Sequence, residues 1–192
     1  MGKERLTAFT DGVVAIIITI MVLELKVPHG TSFADMAPMA AVFAGYVLSF
    51  VYVGIYWNNH HHMLAAANTI TGPILWANMH LLFWLSLVPF ATAWMGGNHF
   101  AKVPVASYGV VMLFAGVAYF VLQTALVTAN RELADTFGRD IKGKGSMAIY
   151  AVAILLSLLN RWIGVALYVI VALIWLVPDR RLERRAQAAP PR

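Results

Sequence analysis

The hydrophobic residues of this chain are grouped in long continuous runs. They do not alternate with polar residues, as in a strand, or recur on one side only, as in an amphipathic helix. Short stretches rich in charge, proline or glycine separate the runs. A helix that crosses a bilayer needs roughly 20 mostly apolar residues. We therefore predict an all-α chain whose apolar segments run from about Ala8 to Leu25, Pro38 to Trp57, Ile74 to Trp94, Val105 to Thr128 and Ser146 to Val177.

The last apolar segment, from Ser146 to Val177, is long enough for two short spans and is divided at Asn160 and Arg161. We interpret it as a tight helical hairpin, which brings the chain to six spans. One long bent helix is the alternative, and it would put the two chain termini on opposite sides of the membrane.

Positive charge favours the six-span interpretation. If the amino terminus lies inside, the inner segments hold 11 lysines and arginines, whereas the outer loops hold only Lys26, Lys102 and Arg161. Cytoplasmic segments of membrane proteins carry an excess of these residues. We predict a six-helix membrane domain over 1–178 and a basic cytoplasmic tail over 179–192. The protein is expected in the cell membrane (plasma or inner membrane), with both termini in the cytoplasm.

Composition agrees with a multi-pass membrane protein, because 60% of the residues are hydrophobic and 12% are charged. The net charge of +5 lies mainly in inner loops and tail, so membrane orientation explains it better than nucleic-acid binding. The chain contains no cysteine, which excludes disulfides and thiolate ligands. No small-residue cleavage site follows the first apolar run, so we expect it to remain as the first span.

Few residues could carry catalysis or bind a metal. The sequence has no nucleophile-elbow, metalloprotease or phosphate-loop motif, so we predict no enzyme. We place the triplet of His60, His61 and His62 in a cytoplasmic loop, where successive side chains point in different directions. His80 lies in the third span, with no histidine in the first, fourth, fifth or sixth span to share a haem. We therefore predict no metal site and no cofactor.

Two ionisable residues, Arg5 and Asp11, lie at the start of the first apolar segment. Such groups are costly at membrane depth and usually face protein or water. We expect Asp11 to be buried against other helices or held at the cytoplasmic end, where the helix dipole favours an anion. Its expected partners are Arg5, Thr10 or a nearby histidine. A helix-start cap exposed to the cytoplasm is the alternative.

One face of the first helix is suited to line a pore. At about 100° per residue, four residues share a stripe about 100° wide, and Asp11 lies about 130° from the centre of that stripe. The four are Ile16, Thr19, Ile20 and Leu23. Ordinary lipid-facing or packing surface is the alternative, because isoleucine and leucine occur on every membrane helix.

The same segment carries a family resemblance. It begins with the pattern Arg-x-x-x-Phe-(Ser/Thr)-Asp and continues with a span that contains a threonine and then Leu-Glu-Leu. This order resembles the signature of prokaryotic homologues of the lysosomal potassium channel, the transmembrane protein 175 family. The matching residues are Arg5, Phe9, Thr10, Asp11, Thr19 and Leu23-Glu24-Leu25. Further marks are Trp57-x-x-His60, Asn78 and Pro89-Phe90. Animal members carry two copies of the six-span unit, and this chain shows one.

The resemblance implies a homotetrameric, potassium-preferring passive cation channel with four copies of the first helix around a central axis. It implies a hydrophobic gate at Ile16, further apolar rings at Ile20 and Leu23, and a selectivity-tuning hydroxyl at Thr19. The Phe-Thr-Asp segment is implied to stabilise helix packing rather than to touch ions. The expected partners are potassium and other monovalent cations, the lipid bilayer and three further copies of the chain.

Other roles stay open from the residues alone. We expect His60, or alternatively His80, to bond the region of Asp11, which would make opening pH-sensitive because histidine titrates near neutrality. A secondary transporter is an alternative function, with glycines of the second and fourth spans serving as helix breaks. A membrane subunit that conducts nothing is another.

Overall fold

The structure is a computed structural model that describes residues 2–134 and 140–176. All regular secondary structure in these residues is helical, which confirms the predicted all-α class. The α-helices are α1 (Lys3–Leu23), α2 (Ala40–Ala66), α3 (Gly72–Ser86), α4 (Val88–Gly97), α5 (Lys102–Ala129), α6 (Ile141–Leu159) and α7 (Arg161–Leu176). Short 3₁₀ segments cover Phe33–Met39 and Arg131–Leu133. The predicted basic tail, 179–192, lies outside the described residues.

The six predicted spans correspond to these helices, with α3 and α4 together forming the third span. Five helical stretches of the described chain are long and apolar enough to cross a bilayer, and α7 is a shorter apolar helix of 16 residues. The chain is therefore a multi-pass helical membrane protein, as its apolar runs predict.

The third span, predicted from Ile74 to Trp94, is present, but it is built from two helices rather than one. Leu87 ends α3 and also precedes α4. Pro89 lies in the first turn of α4, where it has no N–H to donate and its ring crowds the carbonyl four residues earlier. The Leu87 N–H instead donates to the Trp84 carbonyl at 3.2 Å. The proline therefore divides an apolar segment into two helices.

α2 extends to Ala66 rather than ending near Trp57, so the histidine triplet lies in a helix and not in the predicted loop. Three consecutive helical residues project about 100° apart. His60 is consequently buried in the bundle, His62 is half-buried and His61 is exposed. The apolar residues that follow the triplet, Met63 and Leu64, are buried and account for the longer helix.

The last two helices, α6 and α7, form the predicted hairpin and pack against each other. Asn160, the residue between them, has extended backbone (φ −139°, ψ 112°), and its side-chain oxygen accepts a hydrogen bond from the Trp162 N–H at 3.0 Å. Gly164 permits close packing, because a Cβ there would lie 2.6 Å from the Ser157 Cβ. The alternative of one long bent helix is therefore excluded.

Helix packing divides the bundle into two sides. On one side α1 packs against α2, α3 and α4, and on the other α5 packs against α6 and α7 as well as α3 and α4. The second side has a core rich in tyrosine, with Tyr52, Tyr108, Tyr150 and Tyr168 all buried. α1 thus lies at the edge of the bundle, with part of its surface facing away from the subunit.

Candidate functional site

α1 has one buried face and one exposed face. The buried residues recur at helical spacing and contact the bundle: Leu6, Thr10, Val14, Ile17 and Met21. At about 100° per residue their mean direction lies about 130° from the predicted stripe. The buried face holds the helix in the bundle, and the opposite face is left without a partner among the described residues.

The predicted pore-lining residues all lie on the exposed face. Ile16 is 60% exposed, Ile20 43% and Leu23 76%, and Thr19 is also exposed. The Thr19 hydroxyl donates to the Ala15 carbonyl of its own helix at 2.8 Å, so its lone pairs remain available on the outer surface. The structure therefore brings three large apolar residues and one hydroxyl together on a surface that the rest of the described chain does not cover.

A buried polar chain joins α1, α2 and α3 behind this surface. The Asn78 amide nitrogen donates to the Thr10 hydroxyl oxygen at 3.0 Å, and the Asn78 amide oxygen lies 2.7 Å from His60 Nε2. An amide oxygen only accepts, so this arrangement requires His60 to carry its proton on Nε2. All three side chains are buried. The contact fixes one helical turn of α1 against the C-terminal part of α2 and the N-terminal half of α3.

Asp11 is held by a different residue from those expected. Its Oδ1 accepts a hydrogen bond from the indole N–H of Trp57 at 2.8 Å, across the interface between α1 and α2. The structure gives it no hydrogen bond to Arg5, to the Thr10 side chain or to a histidine among the described residues. Asp11 itself is exposed, so it lies at the edge of the helix contact rather than inside it.

The remaining residues of the motif lie on the exposed surface of the helix bundle. Arg5 is exposed and Phe9 is 47% exposed, both on the same side of α1 as Ile16 at about 100° per residue. Lys3 adds a further link, because its Nζ donates to the carbonyls of Ala65 (2.7 Å) and Ala67 (3.0 Å) at the end of α2. The start of α1 is therefore fastened to α2 by both Lys3 and Trp57.

The other histidines do not form a ligand set. His61 stacks on Trp57, with ring centroids 6.0 Å apart, and His80 accepts a hydrogen bond from the Trp84 indole of its own helix at 3.0 Å. His80 thus does not reach the Asp11 region. In the two ranges that the structure describes, no group of three His, Cys, Asp or Glu residues is arranged to hold a metal ion.

Comparison with known proteins places the chain in a family. The family model described as "Endosomal/lysosomal potassium channel TMEM175" matches residues 5–89. A protein of Chryseobacterium sp. (strain P1-3), named as a potassium channel, is 49% identical over 187 residues, which cover 96% of this chain and 97% of the relative. The chain belongs to the TMEM175 family. The family resemblance deduced from the Arg5 to Asp11 motif is thereby confirmed.

Two further TMEM175 relatives extend the comparison. The crystal structure of a lysosomal potassium-selective channel TMEM175 homolog from Chamaesiphon minutus has a TM-score of 0.81 and 24% identity, covering 93% of this chain and 97% of that chain; it confirms the fold. The chicken protein named endosomal/lysosomal proton channel TMEM175 is 26% identical over 157 residues, 72% of this chain and 31% of the relative. TMEM175 relatives are named as channels, so the prediction that the chain is not an enzyme holds.

The sequence did not predict the contacts of two residues in the site. Trp57 and Asn78 were noted as family marks, but the sequence did not show that Trp57 pairs with Asp11 or that Asn78 bridges Thr10 and His60. Both side chains lie on helices other than α1, so their pairing depends on helix rotation. The one available signal was a polar residue, Asn78, inside an apolar span, because buried amides are normally hydrogen-bonded.

Proposed function

We propose that the chain is a passive, potassium-preferring cation channel whose pore is lined by α1 from four subunits. The observation that carries the proposal is the exposed stripe of Ile16, Thr19, Ile20 and Leu23 on a helix whose opposite face is anchored in the bundle. One stripe cannot enclose a water path, so several copies must converge, and closed cyclic symmetry is the usual arrangement. Relatives named as potassium channels support the choice of ion.

The apolar residues of the stripe form the gate in this proposal. Four copies of Ile16 make a ring of aliphatic side chains, and Ile20 and Leu23 add rings one and two turns further along α1. A narrow aliphatic ring excludes water, so a cation that crosses it loses hydration and meets a high barrier. Small changes in the ring's diameter then open or close the path.

Thr19 supplies the polar group between these rings. The chain has no Thr-Val-Gly-Tyr-Gly sequence, so backbone carbonyls of that kind do not replace the potassium ion's water shell. A ring of four threonine oxygens stabilises a partly dehydrated cation, and potassium loses water more easily than sodium. We therefore expect a modest preference for potassium.

In this proposal the residues of the Arg5 to Asp11 motif hold α1 in position and do not contact ions. Thr10 and Asp11 hold α1 against its neighbours through Asn78 and Trp57, while Arg5 and Phe9 face outward and are available to the adjacent subunit. Both termini lie in the cytoplasm and the protein lies in the cell membrane, as the distribution of lysine and arginine predicts.

Flux into liposomes tests the proposal. Purified protein is reconstituted with a potassium gradient, and uptake and reversal potential are recorded. A channel passes potassium passively at high rate, with a reversal potential that follows the gradient. Saturation at low turnover indicates a transporter instead, and absence of flux indicates a subunit that conducts nothing. Because the animal relatives are named as proton channels, proton entry is measured in the same vesicles, and protons passing without potassium contradict the potassium proposal.

A further inference from the structure

A small cavity lies on the side of the bundle away from α1. It is lined by residues of α2, α5, α6 and α7, opens partly to the surface and has a volume of about 40 Å³, and none of its lining residues belongs to α1. A single water needs about 10 to 15 Å³ on this measure, so the cavity has room for about three non-hydrogen atoms. It is therefore separate from the exposed stripe and from the contacts of Asp11.

Aromatic residues are the largest group among the residues that line the cavity. Five rings line it, from Tyr52, Tyr56, Tyr119, Tyr150 and Trp175. The faces of aromatic rings are electron-rich because of the ring quadrupole, and they attract cations. Lys142 illustrates this chemistry, because its ammonium group lies 5.3 Å from the ring centroid of Trp175. The wall is therefore suited to a cation with an organic or ammonium character.

One carboxylate also lines the cavity. Asp140 is half-buried and caps the start of α6, with its Oδ1 accepting from the Gly143 N–H at 2.7 Å. In the part of the chain that the structure describes, no hydrogen bond engages its second oxygen, Oδ2. This oxygen can accept from a donor inside the cavity.

Uncharged polar groups complete the site. Tyr56 and Tyr119 line the cavity, and their hydroxyls have no hydrogen-bond partner among residues 2–134 and 140–176. Asn59 contributes an amide whose nitrogen donates to the Ile55 carbonyl at 2.8 Å, which leaves its oxygen as an acceptor. A ligand with several N–H donors satisfies more of these groups than an apolar one.

We propose that this cavity binds a small protonated amine of the methylammonium class. The ammonium group donates to Asp140 Oδ2 and to the neighbouring hydroxyl and amide oxygens, and its positive charge faces the tyrosine and tryptophan rings. The volume admits the two heavy atoms of methylammonium and excludes tetramethylammonium. A bare potassium ion fits less well, because the walls offer more ring surface than oxygen.

Binding of ¹³C-methylammonium tests the proposal directly. The full chain is purified, placed in lipid nanodiscs at neutral pH and titrated while the ¹³C signal is followed by NMR. We expect saturable binding that unlabelled methylammonium displaces and that tetramethylammonium, potassium and methanol at equal concentration do not. Absence of saturable binding, or equal displacement by methanol, overturns the proposal.

Two variants locate the site. Asp140→Asn removes the negative charge but keeps an equally good helix cap. We expect the affinity for methylammonium to fall about tenfold, which corresponds to a loss of roughly 1.4 kcal/mol of binding free energy. Asp35→Asn is the matched control, because the Asp35 carboxylate also accepts from a backbone N–H at the start of a helical segment, that of the N-cap Ser32 at 2.9 Å, and Asp35 does not line the cavity. Equal affinity in the two variants contradicts the site.

The second variant acts by size rather than charge. A Cβ at Gly116 would lie 3.5 Å from Met147 Cγ and 3.8 Å from the Tyr56 hydroxyl, so Gly116→Ala fits without displacing a neighbour and reduces the free volume. We expect weaker methylammonium binding with unchanged thermal unfolding. Neither variant changes a residue of α1. If methylammonium still binds both variants with unchanged affinity, the amine binds elsewhere, including in the pore, and the proposal is overturned. The channel function is not affected by that result.

Discussion

The indole N–H of Trp57 donates a hydrogen bond to Asp11 Oδ1 across 2.8 Å. This contact joins α1 to α2 one and a half turns before Ile16, the first residue of the exposed stripe. One turn further along α2, His60 bonds Asn78, which in turn bonds Thr10. Two neighbouring residues of α1 are thus fixed by two separate helices, which sets the rotation of α1 and hence the direction in which its stripe points.

Replacement of Trp57 by phenylalanine is predicted to destabilise this contact. Trp57→Phe keeps the aromatic ring but leaves the carboxylate of Asp11 without its donor, at a cost of roughly 1 kcal/mol. Thermal unfolding in detergent measures the effect. Trp76→Phe is the matched control, because Trp76 is 78% exposed and makes no indole hydrogen bond among the described residues. Equal shifts in the two variants contradict a role for the Asp11 contact.

Asn78→Leu is predicted to have a larger effect. Leucine is close to asparagine in size, but it leaves both the Thr10 hydroxyl and His60 Nε2 buried without a partner. Each unsatisfied buried group costs about 1 to 3 kcal/mol. Asn58→Leu provides the comparison on α2, since Asn58 is half-buried and has no hydrogen bond among residues 2–134 and 140–176. If both proteins unfold at the same temperature, the polar chain contributes no stability.

Ile16→Asn tests the hydrophobic gate. A polar amide in the ring retains water, so we expect potassium flux into liposomes to rise about tenfold, as a barrier lowered by about 1.4 kcal/mol implies. Ile163→Asn introduces the same change on α7, at a residue that is 41% exposed, and is expected to leave flux unchanged. Unaltered currents in Ile16→Asn remove this residue from the gate.

Thr19→Ala tests the selectivity ring. We predict that the potassium-to-sodium permeability ratio falls about two- to fivefold, because loss of the four-oxygen ring removes on the order of 0.5 to 1 kcal/mol of preference for potassium over sodium. Thr19→Ser keeps the hydroxyl and should keep the ratio. Thr124→Ala is the control, since the Thr124 hydroxyl is exposed and donates to a carbonyl of its own helix at 2.8 Å, as Thr19 does. A ratio that is the same in all variants excludes a threonine filter.

Much of the fold was predictable because membrane spans are encoded by length and polarity alone. The run from Ser146 to Val177 contains one interruption, Asn160-Arg161, and the hairpin turns there. The break at Leu87 was missed because the residues around it are apolar, so hydropathy shows no boundary. Pro89 was the available signal, but a proline inside a span can also produce a kink without ending the helix.

Helical periodicity grouped Ile16, Thr19, Ile20 and Leu23 on one face of α1, and in the structure the buried residues Thr10, Val14, Ile17 and Met21 point about 130° away from that face. Periodicity could not identify the partner of Asp11. Arg5 was a reasonable expectation from charge, but it precedes Asp11 by six residues, so the two side chains leave the helix on different sides. The indole of Trp57 comes from another helix, and a contact of this kind depends on how α1 and α2 are rotated against each other.

The chain has no cysteine, so a single introduced thiol reports directly on whether α1 lines the conducting path. Leu23→Cys places the thiol at the C-terminal end of the stripe, and Leu159→Cys places one at the C-terminal end of α6; the native residues are 76% and 74% exposed, respectively. A cationic methanethiosulfonate reagent is applied, labelling is verified by mass, and potassium current is recorded. We predict that labelled Leu23→Cys is blocked while labelled Leu159→Cys conducts normally. Full current through labelled Leu23→Cys contradicts a pore lined by α1.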